Sequence, residues 1–179
     1  MARCLWLSGL LLLALTLVAR GDDKPGDKAP AAPQNPGLER MKKLAGTWVM
    51  ADKDGKPTDQ VVSVIRVTAG GSAVHETLFP GQPHEMVSIY TCDGADLMLT
   101  HYCMLGNQPR MKADPKSPAN QIHFQFAGGS NLDPAKDMHM HEGTLTFLDD
   151  DHIEFSGVAW VGGKPAEGHK CAMKLVRKK

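Results

Sequence analysis

The feature that most constrains this chain is its punctuation. From Trp48 onward, short β-prone runs are cut at roughly the 8- to 12-residue spacing of an antiparallel barrel or sandwich. The cuts are Asp54-Gly55-Lys56-Pro57, Gly70-Gly71, Pro80-Gly81-Gln82-Pro83, Asp93-Gly94, Gly128-Gly129, Asp149 to Asp151 and Gly162-Gly163. Gly and Asp-Gly at such points supply the positive φ that tight hairpins require. The runs between them predict nine strands: Trp48 to Ala51, Val61 to Thr68, Ser72 to Phe79, Glu85 to Cys92, Leu97 to Met104, Gln121 to Ala127, Met140 to Leu148, His152 to Val161 and Gly168 to Arg177. Leu105 to Ala119 is read as one long connection. Leu38 to Leu44 reads as a short helix with Leu38, Met41 and Leu44 on one face, placed to close one end of a barrel. The expected fold is all-β: a single antiparallel up-and-down meander barrel of about 8 to 10 strands with a short N-terminal helix.

The ends of the chain divide it further. Arg3, the apolar run Leu5 to Val18 and the small residues around Ala19 and Gly21 give residues 1–21 the pattern of a secretory signal peptide. Residues 22–37 hold Pro25, Pro30, Pro33 and Pro36 among small and polar residues, the composition of a disordered tether. Residues 38–179 form the expected barrel domain. No later stretch approaches the ~18 apolar residues that span a membrane, so the expected location is exported, periplasmic or extracellular. The chain carries 20 Lys plus Arg against 20 Asp plus Glu. Loss of Arg3 and Arg20 with residues 1–21 leaves 18 against 20, which is not the charge of a nucleic-acid binder. Cys92, Cys103 and Cys171 remain after export, an odd number that leaves at least one thiol free.

Gly46-Thr47-Trp48, opening the first strand after a short helix, and Arg177 near the end of the last strand are similar to the signature of the lipocalins and the wider calycin group. That resemblance implies a tryptophan and a terminal basic residue packed across the closed end of an up-and-down barrel. An indole face attracts a guanidinium, so Trp48 and Arg177 are the expected structural pair. Glu76 to Gly81, His84-Glu85-Met86, Leu99 to Cys103 and Gly106 to Met111 resemble secreted bacterial proteins with a lipocalin-like domain of unknown function. This second resemblance implies a barrel and export, with no catalytic residue to carry over.

Chemistry is sought from spacing. His75-Glu76, His84-Glu85 and His141-Glu142 lack the second histidine of a zinc-protease helix, and no G-x-S-x-G, P-loop, dinucleotide-binding or C-x-x-C-H pattern occurs. His139 and His141 share a side if extended and are candidate metal ligands, or else an ordinary strand-end pair. His101 and Cys103 likewise share a face, as a soft-metal pair or as a core histidine beside a buried thiol. A two-residue turn at Gly70-Gly71 sets Ile65 opposite Glu76, so Ile65, Val67, Val74, Glu76 and Leu78 face inward. Glu76 then needs a partner, with Arg110 or a histidine the candidates, either as a structural ion pair or as part of a ligand site.

Candidate ligand-binding residues are therefore Glu76, His84, His101, Asn107, Gln108 and Arg110, the last three on the long loop expected at the mouth. The expected partner is a small apolar or amphipathic molecule. Arg110 would orient an acidic head group such as that of a fatty acid. Two other readings stay open: a metal- or haem-binding protein or enzyme using mouth histidines His84, His101, His139 and His141, and a structural barrel with a filled core. Nine methionines beyond Met1 suit either a pliable pocket or a packed interior. No cofactor is identified by any pattern in the chain.

Overall fold

The computed structural model describes residues 35–179, so the signal-peptide reading of residues 1–21 and most of the tether lie outside the described residues. The first described residues already belong to the fold. Asn35 caps helix α1 (Pro36–Lys43), its Oδ1 accepting from Leu38 N at 3.1 Å, with Pro36 in the first turn, where the lack of an N–H costs nothing. Asn35, Pro36 and Gly37 thus belong to the helix and its cap.

Ten strands follow: β1 (Gly46–Ala51), β2 (Pro57–Thr68), β3 (Ala73–Leu78), β4 (Met86–Asp93), β5 (Asp96–Tyr102), β6 (Gln108–Ala113), β7 (Gln121–Ser130), β8 (His139–Phe147), β9 (His152–Val161) and β10 (Lys164–Arg177). Each pairs antiparallel with the next, and β10 returns to β1, closing the barrel. Closure removes every unpaired sheet edge.

One strand was not expected. β6 lies inside the segment read as a loop, where Pro109 interrupts the strand pattern. Without an amide N–H, proline cannot donate to a ladder, and the β5–β6 pairing stops at Thr100↔Arg110, short of Pro109. On its other side Pro109 sits opposite Gly129, where an added Cβ would come within 2.9 Å of Gln108 O. The glycine is what lets the two backbones meet.

The β2–β3 register is Ile65↔Glu76, as the Gly70-Gly71 turn implied, although the connection is a 3-10 turn (Ala69–Gly71). Ile65 and Val74 are buried. Val67, next to the strand's end, is exposed.

Helix α1 plugs the end of the barrel where β2 turns into β3 and β4 into β5. Leu38, Met41 and Leu44 are buried in the core, and a Cβ on Gly37 would strike Leu97 at 2.9 Å, so the helix enters closely enough to exclude a larger residue. Asn35 Nδ2 donates to Ala95 O at 2.7 Å, while Arg40 donates to Gln121 O at 3.1 Å and stacks over Phe147 at 4.1 Å. The other end carries connections 52–56, 79–85, 103–107, 131–138 and 162–163 and, among the described residues, has no helix across it. Among the described residues no helix is long and apolar enough to cross a membrane.

The plugged end is locked by Trp48 and Arg177, which are direct cross-strand partners. Trp48 is fully buried, and the guanidinium lies 4.4 Å above its ring. Trp48 Nε1 donates to Leu44 O at 2.8 Å, and Arg177 donates to Ala45 O at 2.8 Å and Lys43 O at 3.0 Å. These are carbonyls that the end of a helix leaves without intrahelical partners. Gly46 allows the approach, because a Cβ there would stand 3.0 Å from Arg177 Nη1.

Arg177→Ala should lower the unfolding free energy by ~2 to 4 kcal/mol, through the lost cation–π contact and the orphaned carbonyls. Arg177→Lys should recover less than half, because an ammonium cannot fork to several carbonyls. Urea unfolding at unchanged m-value checks both, and a loss below ~0.5 kcal/mol for the alanine variant would remove the lock from this account.

Candidate functional site

The interior is not filled. Alternation along the strands turns a largely apolar set inward around a cavity of about 240 Å³, with Met41 and Leu44 toward the plugged end and Leu78, Phe79 and Met86 toward the other. Met111, Met140, Met173 and Cys171 contribute further sulfur-bearing walls. Gly143 and Gly157 face each other on β8 and β9, and a Cβ on Gly157 would meet Met140 Sδ at 2.9 Å and Cys171 Sγ at 3.0 Å. Those side chains lie over the glycine and leave the centre open.

One wall is polar. Successive registers Ile65↔Glu76, Glu76↔Ser88 and Ser88↔His101 place these four residues in a single row across β2 to β5. Glu76 is held by two donors: Ser63 Oγ to Oε1 and Tyr90 OH to Oε2, both at 2.6 Å. Burial raises its carboxyl pKa, and the two hydrogen bonds and nearby His75 oppose that rise. Tyr90 is pushed well above the usual phenol range, first by burial and then by the adjacent carboxylate, so it stays a donor. His101 is 6% exposed, its Nδ1 lies 3.0 Å from Ser88 Oγ, and burial lowers its pKa to about 4. The imidazole is therefore neutral at neutral pH.

Of the six expected ligand-binding residues, Glu76 and His101 line the cavity. His84 is exposed on the 79–85 connection with its ring 4.7 Å from that of Phe79, at the rim. Asn107 is buried beneath the 103–107 turn and donates to Met138 O at 2.8 Å, while its Oδ1 has no partner among the described residues. Gln108 bonds Gly106 O and Asn131, away from the chamber. Arg110 corrects the expectation most sharply. Pro109 and Met111 point into the barrel, so alternation turns Arg110 out to solvent, and it neither pairs with Glu76 nor reaches the cavity. Cys103 does not join His101 there, and Cys92, Cys103 and Cys171 are all free thiols.

His139 and His141 do meet, but through each other. His139 is fully buried, with Nδ1 2.8 Å from Asp137 O and Nε2 3.0 Å from His141 Nδ1. The His141 ring is stacked on Trp160 at 3.8 Å and on Phe126 at 4.8 Å. The two facing nitrogens share one hydrogen bond. No group of three or more His, Cys, Asp or Glu is poised for a metal among the described residues.

Sequence reasoning missed Ser63, Ser88 and Tyr90, the residues that make the polar wall tenable. The turn residues here are Gly94-Ala95, one position beyond the Asp93-Gly94 pair read from the sequence, and this register sets Asp93 opposite Asp96 and Ser88 opposite His101. Among known proteins, no family model matches the chain and no curated protein matches it.

The pKa of His101 carries a stability consequence. The unfolded imidazole, at about 6.5, binds a proton more readily than the folded one, at about 4, so folding stability falls as pH drops through that window. Glu76, shifted upward, acts in the opposite sense. His101→Asn keeps an acceptor near Ser88 but cannot titrate. Between pH 7 and pH 4 the wild type should therefore lose ~3 kcal/mol more than this variant, read from urea midpoints at each pH. Parallel pH profiles would show that His101 is not held neutral by burial.

Proposed function

We propose that this protein is an exported, calycin-like barrel that binds one small, mostly apolar molecule in its central cavity. The observation that carries the reading is the cavity itself: an apolar chamber with one polar wall, in a barrel whose other interior positions are packed. The Trp48–Arg177 lock and the plugging helix support the likeness to lipocalin-type barrels, and the residue pattern of 1–21 supports export.

Size narrows the ligand. An apolar protein cavity of about 150 Å³ holds benzene, so a chamber of about 240 Å³ suits a molecule of roughly ten non-hydrogen atoms. A long-chain fatty acid is too large for the chamber as it stands. Charge argues against an acid as well: Arg110 is outside, and the ionisable wall residue is Glu76, which would repel a carboxylate in low dielectric. The reading is a carrier or sensor of a small non-acidic molecule.

Compact apolar compounds such as isopropylbenzene should raise the melting temperature with a saturable concentration dependence, since a ligand that binds only the folded state stabilises it. Leu78→Trp, which fills the chamber from its wall, should abolish that rise while the protein remains folded by circular dichroism. A wild type that no compact apolar compound stabilises would favour a barrel whose interior serves only packing.

A further inference from the structure

The polar row is asymmetric in how well it is satisfied. Glu76 has a donor on each oxygen. Ser88 is 3% exposed, and its hydroxyl has a single side-chain contact among the described residues, His101 Nδ1. A buried hydroxyl proton without an acceptor is costly. If His101 carried its proton on Nδ1, that N–H would donate to Ser88 Oγ and strand the serine's own proton. The satisfied arrangement has Ser88 O–H donating to an unprotonated Nδ1, which puts the imidazole proton on Nε2. His101 lines the cavity, and its Nε2 finds no partner among the described residues.

We infer that the natural ligand carries a neutral hydrogen-bond acceptor, a carbonyl oxygen of the ketone, aldehyde, ester or amide class, which receives the His101 Nε2–H inside the cavity. The inference rests on reading that cavity as a binding chamber. Ser88 acts as the positioning residue, fixing which nitrogen donates. Nε2–H donates whether or not the ring is protonated, so the donor does not come and go with pH. The rest of the chamber contacts a compact apolar body, largely through thioether and aliphatic side chains, which adapt to shape without demanding a second polar group. An amine would seek Glu76 instead, but that carboxylate already has its two donors, whereas the histidine Nε2–H has no side-chain or backbone partner among the described residues. Such a donor discriminates strongly, because a ligand lacking an acceptor would bury it unpaired.

Four probes of matched size separate the possibilities: acetophenone, isopropylbenzene, 1-phenylethylamine and benzoate, titrated calorimetrically into the folded protein. Acetophenone should bind roughly tenfold more tightly than isopropylbenzene, the gain expected from one buried hydrogen bond. His101→Leu should erase that preference, because it removes the donor that the ketone uses and the hydrocarbon leaves unpaired. Independently of any variant, the imidazole ¹⁵N shifts of His101 in the wild type should show a protonated Nε2 and an unprotonated Nδ1. Equal binding of ketone and hydrocarbon, tightest binding of the amine or the acid, or a protonated Nδ1 would each overturn the inference and leave the chamber standing. Binding of none of the four would overturn the chamber reading itself.

Discussion

The contact on which the rest of the structure depends is the stack of the Arg177 guanidinium on Trp48. A ten-stranded meander has its first and last strands at opposite ends of the sequence, and their ladder is short: Trp48↔Arg177, Val49↔Val176 and Met50↔Leu175. Joining them also closes the longest loop in the chain, the entropically costly step of barrel formation. Arg177 reinforces that seam with a side chain that reaches three elements at once. It covers the indole, satisfies Lys43 and Ala45 carbonyls at the end of the helix, and donates to Asp150 O between β8 and β9. Barrel closure and helix docking are therefore one event, and the plugged end exists because the seam does.

Closure at one end makes an interior that need not be filled from the other. The inward positions carry Met, Leu and Ile more than aromatic rings, and where β8 and β9 face each other they carry Gly143 and Gly157. The Met140 thioether and the Cys171 thiol lie over Gly157, and the Phe155 ring lies over Gly143. A packed barrel of this strand number would need bulkier inward residues at such positions. The polar row sits on the opposite part of the wall, β2 to β5, where its residues satisfy one another across strands and so escape most of the penalty of burial.

How much of this was legible in the sequence follows from what each inference required. Periodicity and turn residues need only local information, and they gave the meander, the helix face, nine of ten strands and the Ile65–Glu76 register. β6 escaped because Pro109 removes the strand's local signature although the neighbours tolerate it through Gly129. Arg110 was assigned a role by chemistry alone. Once β6 is a strand, the parity that turns Met111 inward turns Arg110 out. Glu76's true partners are neutral hydroxyls, Ser63 and Tyr90, and a search for opposite charges passes over them. His139 and His141 fell on one side as alternation required, but only the fold could show that they bond to each other.

The opposite pKa shifts of Glu76 and His101 have one cause, since desolvation penalises the charged form of each. At neutral pH the imidazole is neutral, and Glu76 accepts from two hydroxyls. Acidification favours the uncharged carboxyl and, near pH 4, charges the imidazole, so the wall becomes more positive. A charged ligand would bind differently before and after that change. A neutral ligand would feel the change only through the identity of its hydrogen-bond partner, and the imidazole Nε2–H is a donor in both protonation states. The chemistry of the wall therefore fits a neutral acceptor across a wider pH range than it fits any ion.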